Sequence, residues 1–144
     1  MNNTNLYIST DKSLLDIDMV YNFLHRDAAW SKGISRETVE RAVDGSICFG
    51  AYLGHVQVGF ARVITDMATF AYLCDVFVLP EFRSRGYAAA LMKFIFSSDL
   101  LKQLRRVVLV TSNAHGVYQP HGFSALANPD RYMELYRPDV YVVD

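Results

Sequence analysis

Apolar residues recur at helical spacing over residues 16 to 28, where Ile17, Val20, Tyr21, Leu24 and Ala28 share one side. Asp16 stands where an N-cap carboxylate would accept the first backbone N–H groups. A second helix is expected from Ser35 as its cap, with Glu37 in the first turn and Val39, Ala42 and Val43 on one face; Gly45 stops it. Trp30-Ser31-Lys32-Gly33 reads as the loop between them. The period then falls to that of a strand. Residues 46 to 53 and 56 to 65 predict two strands joined by a tight turn at Gly54-His55. Residues 69 to 79 predict a third, apolar on both faces apart from Asp75 and therefore central, and Pro80 ends it. Residues 87 to 97 have helix character, 106 to 112 predict a buried strand, and 114 to 121 a short helix ended by Gly122. The tail from Phe123 to Asp144, with three Tyr and two Pro, predicts one or two edge strands. Strand, helix, strand in succession implies a right-handed parallel crossover. The whole order gives an α+β domain with a mixed sheet and helices on both sides.

Composition narrows the class. The 144 residues suit one domain spanning 1–144, and 51% hydrophobic against 20% charged residues can fill a core. Disordered, collagen-like and disulfide-stapled chains are excluded. A formal charge of −1 does not suit a general polyanion binder. Two Cys read as reduced thiols of a cytoplasmic protein. The start, Met-Asn-Asn-Thr-Asn, has neither the basic nor the apolar region of a leader. Residues 45 to 61 and 107 to 129 lack Asp, Glu, Lys and Arg, but their Gly, His, Asn, Gln and Pro do not suit a membrane span. The expectation is a soluble chain with no membrane partner.

The candidate chemistry lies in Val78-Leu79-Pro80-Glu81-Phe82-Arg83-Ser84-Arg85-Gly86-Tyr87-Ala88, which joins the central strand to a helix start. Gly86 permits close backbone approach. The helix behind it turns N–H groups and a positive dipole end outward, a site for phosphate or pyrophosphate. Arg83 and Arg85 add charge, and Ala88, Ala89 and Ala90 leave room. Residues 83 to 106 hold six Lys or Arg against one Asp. The plainer reading is an ordinary turn with two solvated arginines. Neither a Walker A loop nor a dinucleotide fingerprint is present.

Arg83-Ser84-Arg85-Gly86-Tyr87-Ala88 resembles the Arg/Gln-x-x-Gly-x-Gly/Ala loop of the GNAT superfamily of N-acetyltransferases. Around it lie a strand ending Val-Phe-Val-Leu-Pro, an Ala-rich helix, and a strand ending Val-Thr-Ser-Asn. Residues Asn113 to Phe123, with Tyr118, Gly122 and Phe123, are similar to that family's ending. The resemblance implies a mixed, mostly antiparallel three-layer α/β fold with a central splay, and acetyl-CoA as co-substrate. It implies a pyrophosphate on N–H groups within Arg85 to Ala89, with Arg83, Ser84, Gly86, Tyr87 and Ala88 in that loop. The pantetheine arm would bond backbone near Phe77 and Val78, with Asn113 beside it. The reaction implied is direct attack of an amine in a ternary complex.

Tyr118 then resembles the general acid for the leaving thiolate, a phenol matched to a thiol; otherwise it is a half-buried aromatic. Asp75 is the candidate base or proton relay; otherwise it pairs with an arginine such as Arg62. His115 and His121 are alternatives, or solvated caps. Trp30 is the candidate acceptor-site wall on a lid, with Tyr21, His25, Tyr132 and Tyr136 as packing residues that could also line it. Cys48, Cys74 and the four His show no metal-ligand spacing, so no metal is expected. A non-catalytic acyl-CoA sensor is the other functional reading. A nucleic-acid binder would need basic and aromatic residues interleaved, and none are. A homodimer is implied by the family, with the tail as its edge.

Overall fold

A computed structural model describes residues 5–142; residues 1–4, part of the start weighed as a leader, and 143–144, the end of the tail, lie outside them. In chain order the elements are β1 Leu6–Ser9, α1 Ile17–Asn22, α2 Arg36–Asp44, β2 Ile47–Leu53, β3 Val56–Thr65, β4 Phe70–Val78, α3 Tyr87–Phe96, α4 Asp99–Gln103, β5 Arg106–Leu109 and α5 His115–Tyr118.

The helices start where side chains can satisfy open N–H groups. Asp16 Oδ1 accepts from Met19 N–H at 3.1 Å and Ser35 Oγ from Thr38 N–H at 3.1 Å, as the sequence predicted. Gly45 ends α2, but with φ −90° rather than a left-handed cap. The helix expected over 16 to 28 changes character halfway. Phe23–Asp27 is a π-helical turn, closed by Ala28 N–H on Phe23 C=O at 2.9 Å. Ser98 starts the unforeseen α4 by accepting from Leu101 N–H at 3.3 Å.

The sheet runs in chain order, β1-β2-β3-β4-β5. Its first three pairings are antiparallel, and β4–β5 is parallel, the product of the crossover through α3 and α4. That parallel pairing covers only Phe70↔Arg106 to Leu73↔Leu109. β4 then continues five residues to Val78 with no β5 partner, so the two strands part into a wedge.

Two layers of helix cover the sheet. On one face Val20, Phe23, Leu24, Val39 and Val43 pack on Cys48, Phe60 and Phe77. On the other, Leu91, Met92, Ile95 and Leu101 pack on Phe49, Ala61, Val63, Ala71 and Leu73. Each of the larger side chains contributes about 1.5–3 kcal/mol on full burial. This is the three-layer α+β arrangement expected, with β1 added.

The tail departs from expectation. Between Phe123 and Val142 there is no strand; the only regular element described is a 3₁₀ turn at Pro129–Arg131. Pro129 and Pro138 cannot donate to a ladder. The tail passes β5, where Arg106 lies over the Tyr132 ring at 5.7 Å, and ends against the first helical layer. There the Tyr141 carbonyl lies 2.6 Å from where a Cβ on Gly33 would sit, so only glycine, here at φ +86°, fits that loop.

Candidate active site

β3 and β4 slip register between Phe60 and Arg62. Phe60 pairs with Phe77 but Arg62 pairs with Cys74, so Ala61 faces both Asp75 and Val76. This is a β-bulge, and Asp75 takes the left-handed conformation, φ 53°. That conformation costs a non-glycine residue roughly 1–2 kcal/mol. The Asp75 carboxylate accepts at both oxygens. Arg62 Nε–H donates to Oδ2 at 2.9 Å, and Trp30 Nε1–H donates to Oδ1 at 2.9 Å. Arg62 also donates to Ser46 Oγ at 3.0 Å, and Ser46 donates to Ala42 C=O at 2.7 Å, near the end of α2. Burial disfavours the Arg62 charge, but the Asp75 carboxylate outweighs it and the guanidinium pKa lies above its ordinary value. Pairing with Arg62 is the alternative that the sequence had left beside the base role.

Beyond the bulge, β4 turns one backbone edge toward the wedge. Leu79 N–H donates to Val58 C=O at 2.9 Å on β3. In an antiparallel ladder the groups alternate, so Val78 points its N–H and C=O the other way, into the wedge. Phe77 belongs to the β3 ladder: its carbonyl lies 3.2 Å from a Cβ position on Gly59, and its ring stacks on Phe23 at 3.9 Å. Phe77 and Val78, both expected beside the pantetheine arm, thus turn their backbone groups to opposite sides of β4. The Phe77 backbone is committed to β3, and Val78 alone of the two faces the gap.

Arg83 folds back, donating from Nε to Val78 C=O at 2.8 Å. Arg85 donates to Glu81 C=O at 3.2 Å and lies over the Phe82 ring at 5.5 Å. Both arginines thus brace the loop. Ser84 (φ 64°) and Gly86 (φ 83°) are left-handed and turn the chain into α3. Gly86 is the N-cap residue, and no side chain caps α3. The Tyr87 ring is buried against Ala51, Val58 and Val78, which leaves its backbone for the loop, while Ala88 and Ala89 are exposed. A helix start with no side-chain cap among the described residues, beside two small side chains, is of the kind that can hold an external anion.

Tyr118 lies at the end of α5, half-buried against the α3-side cluster that Val76 and Leu109 also touch. Burial raises its pKa. It lines a cavity of about 320 Å³ with His115, Thr111 and Val110. Asn113 is exposed in the bend between β5 and α5. His121 lies against Phe96, with ring centroids 5.4 Å apart.

The structure therefore joins Trp30 to Asp75 and leaves Tyr118 on the opposite face of the sheet. Burial pushes Cys48 up to about 11 and Cys74 up to about 12, so neither is a ready nucleophile. Ser46 was missed, and only its tandem position before a strand could have drawn notice. Tyr132 lies under the Arg106 guanidinium, and both Tyr132 and Tyr136 are exposed.

Comparison with known proteins gives one consistent result. A family profile described as an acetyltransferase (GNAT) domain matches residues 44–125. A Gibberella zeae protein, provisionally named an acetyltransferase, is 32% identical over 128 residues, 74% of this chain and 71% of that one. A Xanthomonas campestris crystal structure, provisionally assigned as a GNAT-family acetyltransferase, superposes with a TM-score of 0.93 at 49% identity, covering 96% of this chain and 97% of the other. A Clostridium acetobutylicum structure described as an acetyltransferase with acetyl-CoA shares the fold, with a TM-score of 0.64 at 17% identity over 92% and 95% of the two chains.

Proposed function

This chain belongs to the GNAT family of acetyltransferases, and on that premise we propose that it moves the acetyl group of acetyl-CoA to a primary amine, on a small molecule or a peptide, by direct attack in a ternary complex. The observation that carries the reading is the open half of β4. It presents Val78 N–H to a wedge that leads into an α3 start without a side-chain cap. A thioester supplies an activated acetyl group there. Val78 N–H suits the thioester oxygen, where charge grows as the amine attacks. The backbone from Arg85 to Ala89 suits the pyrophosphate, with Gly86 and the small Ala88 and Ala89 leaving it space. Arg83, through Val78 C=O, and Ser84, through its left-handed turn, shape that loop. Asn113, exposed in the bend after β5, is the proposed side-chain contact to the arm of the co-substrate.

Tyr118 is the proposed acid. Its raised pKa keeps the phenol protonated at neutral pH, as a donor to a departing thiolate must be. The acceptor enters from the α1–α2 side, where Trp30 is 56% exposed. A homodimer is also proposed. The outer edge of β5 has no strand partner among the described residues, and the tail beside it exposes Met133, Leu135 and Tyr136. Sedimentation at micromolar concentration reads that state directly.

The test of the reaction is release of free CoA in the presence of an amine panel. Tyr118→Phe should lower kcat by about 10²–10⁴-fold while leaving acetyl-CoA affinity unchanged. Tight CoA binding with no turnover on any amine would favour a sensor, and full activity in Tyr118→Phe would remove the acid role.

A further inference from the structure

We propose that Asp75 is a positioning residue that clips Trp30, and with it the acceptor-side loop, onto the bulge that aims Val78 at the wedge. The proposal rests on the acetyl-transfer reading above and adds what organises that site. Three observations meet at this one carboxylate.

The first is register. Above the bulge β4 pairs with β3 in one frame, Leu73 with Val63 and Cys74 with Arg62. Below it the frame has slipped by one, Phe77 with Phe60 and Val78 with Gly59. A slip of one residue exchanges which backbone groups and side chains face each side. Without the extra residue Val78 would turn its N–H to β3, and Phe77 would lose its place against Phe23. The left-handed turn at Asp75 makes the slip, and a conformation uncommon for a residue with a side chain persists only where its surroundings hold it.

The second is occupancy. Both Asp75 oxygens accept from N–H donors on different elements, Arg62 of β3 and Trp30 of the α1–α2 loop. Its side chain is 11% exposed and that of Arg62 16%, so the pair is largely shielded from water. A base needs an oxygen turned to the amine, and here taking up a proton would break the pair with Arg62. The carboxylate is arranged to hold two partners.

The third is reach. Arg62 continues to Ser46 and so to Ala42 near the end of α2. One chain of hydrogen bonds thus connects α2, β3, the bulge of β4 and the indole of Trp30. Trp30 itself is over half exposed, with Phe23 6.5 Å away as its ring neighbour. The indole N–H on Asp75 is what places so exposed a ring over β4.

Trp30 is the chain's single Trp, so its fluorescence reads this contact with no background from others. In the full-length protein, Asp75→Ala should shift Trp30 emission to the red. It should also raise acceptor KM about tenfold, the worth of one hydrogen bond to a charged group, with acetyl-CoA binding little changed. Asp75→Asn, which keeps an acceptor oxygen, should fall between. Trp30→Phe, which leaves the carboxylate intact, should raise acceptor KM to a similar extent, and combining it with Asp75→Ala should add little. The rise of kcat/KM with pH should persist in Asp75→Asn, because it reports the amine's own proton.

The positioning role is overturned if Asp75→Asn removes that pH limb and lowers kcat by a hundredfold or more while Trp30→Phe leaves acceptor KM unchanged. Unaltered Trp30 emission in Asp75→Ala overturns it too, and does so even if no amine accepts acetyl groups from the wild type. That last result would sink the transfer reading alone. Should Asp75→Ala fail to fold, the Trp30→Phe and Asp75→Asn measurements decide.

Discussion

Two tight connections flank β4, and each bends through a left-handed residue with a side chain: Met67 (φ 61°) in the β3–β4 hairpin and Ser84 (φ 64°) in the β4–α3 loop. Both gather backbone N–H groups. In the hairpin, Asp66 Oδ1 accepts from Thr69 N–H at 2.8 Å, Ala68 N–H at 2.9 Å and Phe70 N–H at 3.2 Å, and Thr69 Oγ donates to Oδ2 at 2.7 Å. The bonds from Thr69, then those from Ala68 and Phe70, hold the Asp66 carboxyl far below its ordinary range. That turn carries its own anion. The loop into α3 shows no side-chain cap at its helix start among the described residues. The difference separates a turn that is finished by its own carboxylate from one that, on the function proposed above, an outside anion would complete.

The largest effect expected from this contrast is ligand-induced stability. Acetyl-CoA at a hundred times its Kd should add about 2.7 kcal/mol in thermal melts. Gly86→Val should lose most of that gain, because a branched side chain at φ 83° is strained and stands where the anion would lie. Equal gains in both proteins would break the contrast.

Next is acid sensitivity. A depressed pKa in the folded state adds stability that is fully present above the ordinary value of 3.8 and is lost progressively as pH falls from there toward the lower folded-state value. Wild type should therefore lose stability in acid more steeply than Asp66→Ala, whose Tm at neutral pH should be a few degrees lower while its acetyl-CoA shift is kept. A lost ligand shift in Asp66→Ala would mean that the two turns are not independent.

The smallest effect concerns the backbone itself. Met67→Gly and Ser84→Gly should each change stability by less than about 1 kcal/mol, since relief of left-handed strain is offset by glycine's entropy. Similar values would show that the two turns share a backbone and differ in the anion. Chemical denaturation of both variants reads this.

Local rules carried much of the fold. Asp16 and Ser35 cap where expected, and α3 begins at the glycine of the loop. β1 escaped because it has four residues, and only Ser9 of them is buried. The tail misled because alternating Tyr and Val look strand-like, although a strand needs a partner and its two prolines remove donors. Within the site, the loop was legible from Arg83 to Ala89 because glycine and small residues cluster there. The bulge was not. A strand apolar on both faces reads the same with one residue more, so which of Phe77 and Val78 faces the wedge was hidden. The Trp30–Asp75 contact spans 45 positions, and no local pattern reaches that far. Spacing also says nothing about faces, which is why Tyr118 and Asp75 could be named together and lie apart.

The fit of Tyr141 against Gly33 ties the loop proposed to face the acceptor to a segment more than a hundred residues later. During synthesis the loop bearing Trp30 emerges early, yet its backing cannot close until more than a hundred further residues have been made. A shortened product, or one whose terminus is pulled aside by a fused tag, would keep the co-substrate loop and the sheet while leaving that wall unsupported. Proteolytic trimming near residue 141 would then act as a selective lesion, loosening the Trp30 loop, and with it the proposed acceptor wall, before it unfolds the domain.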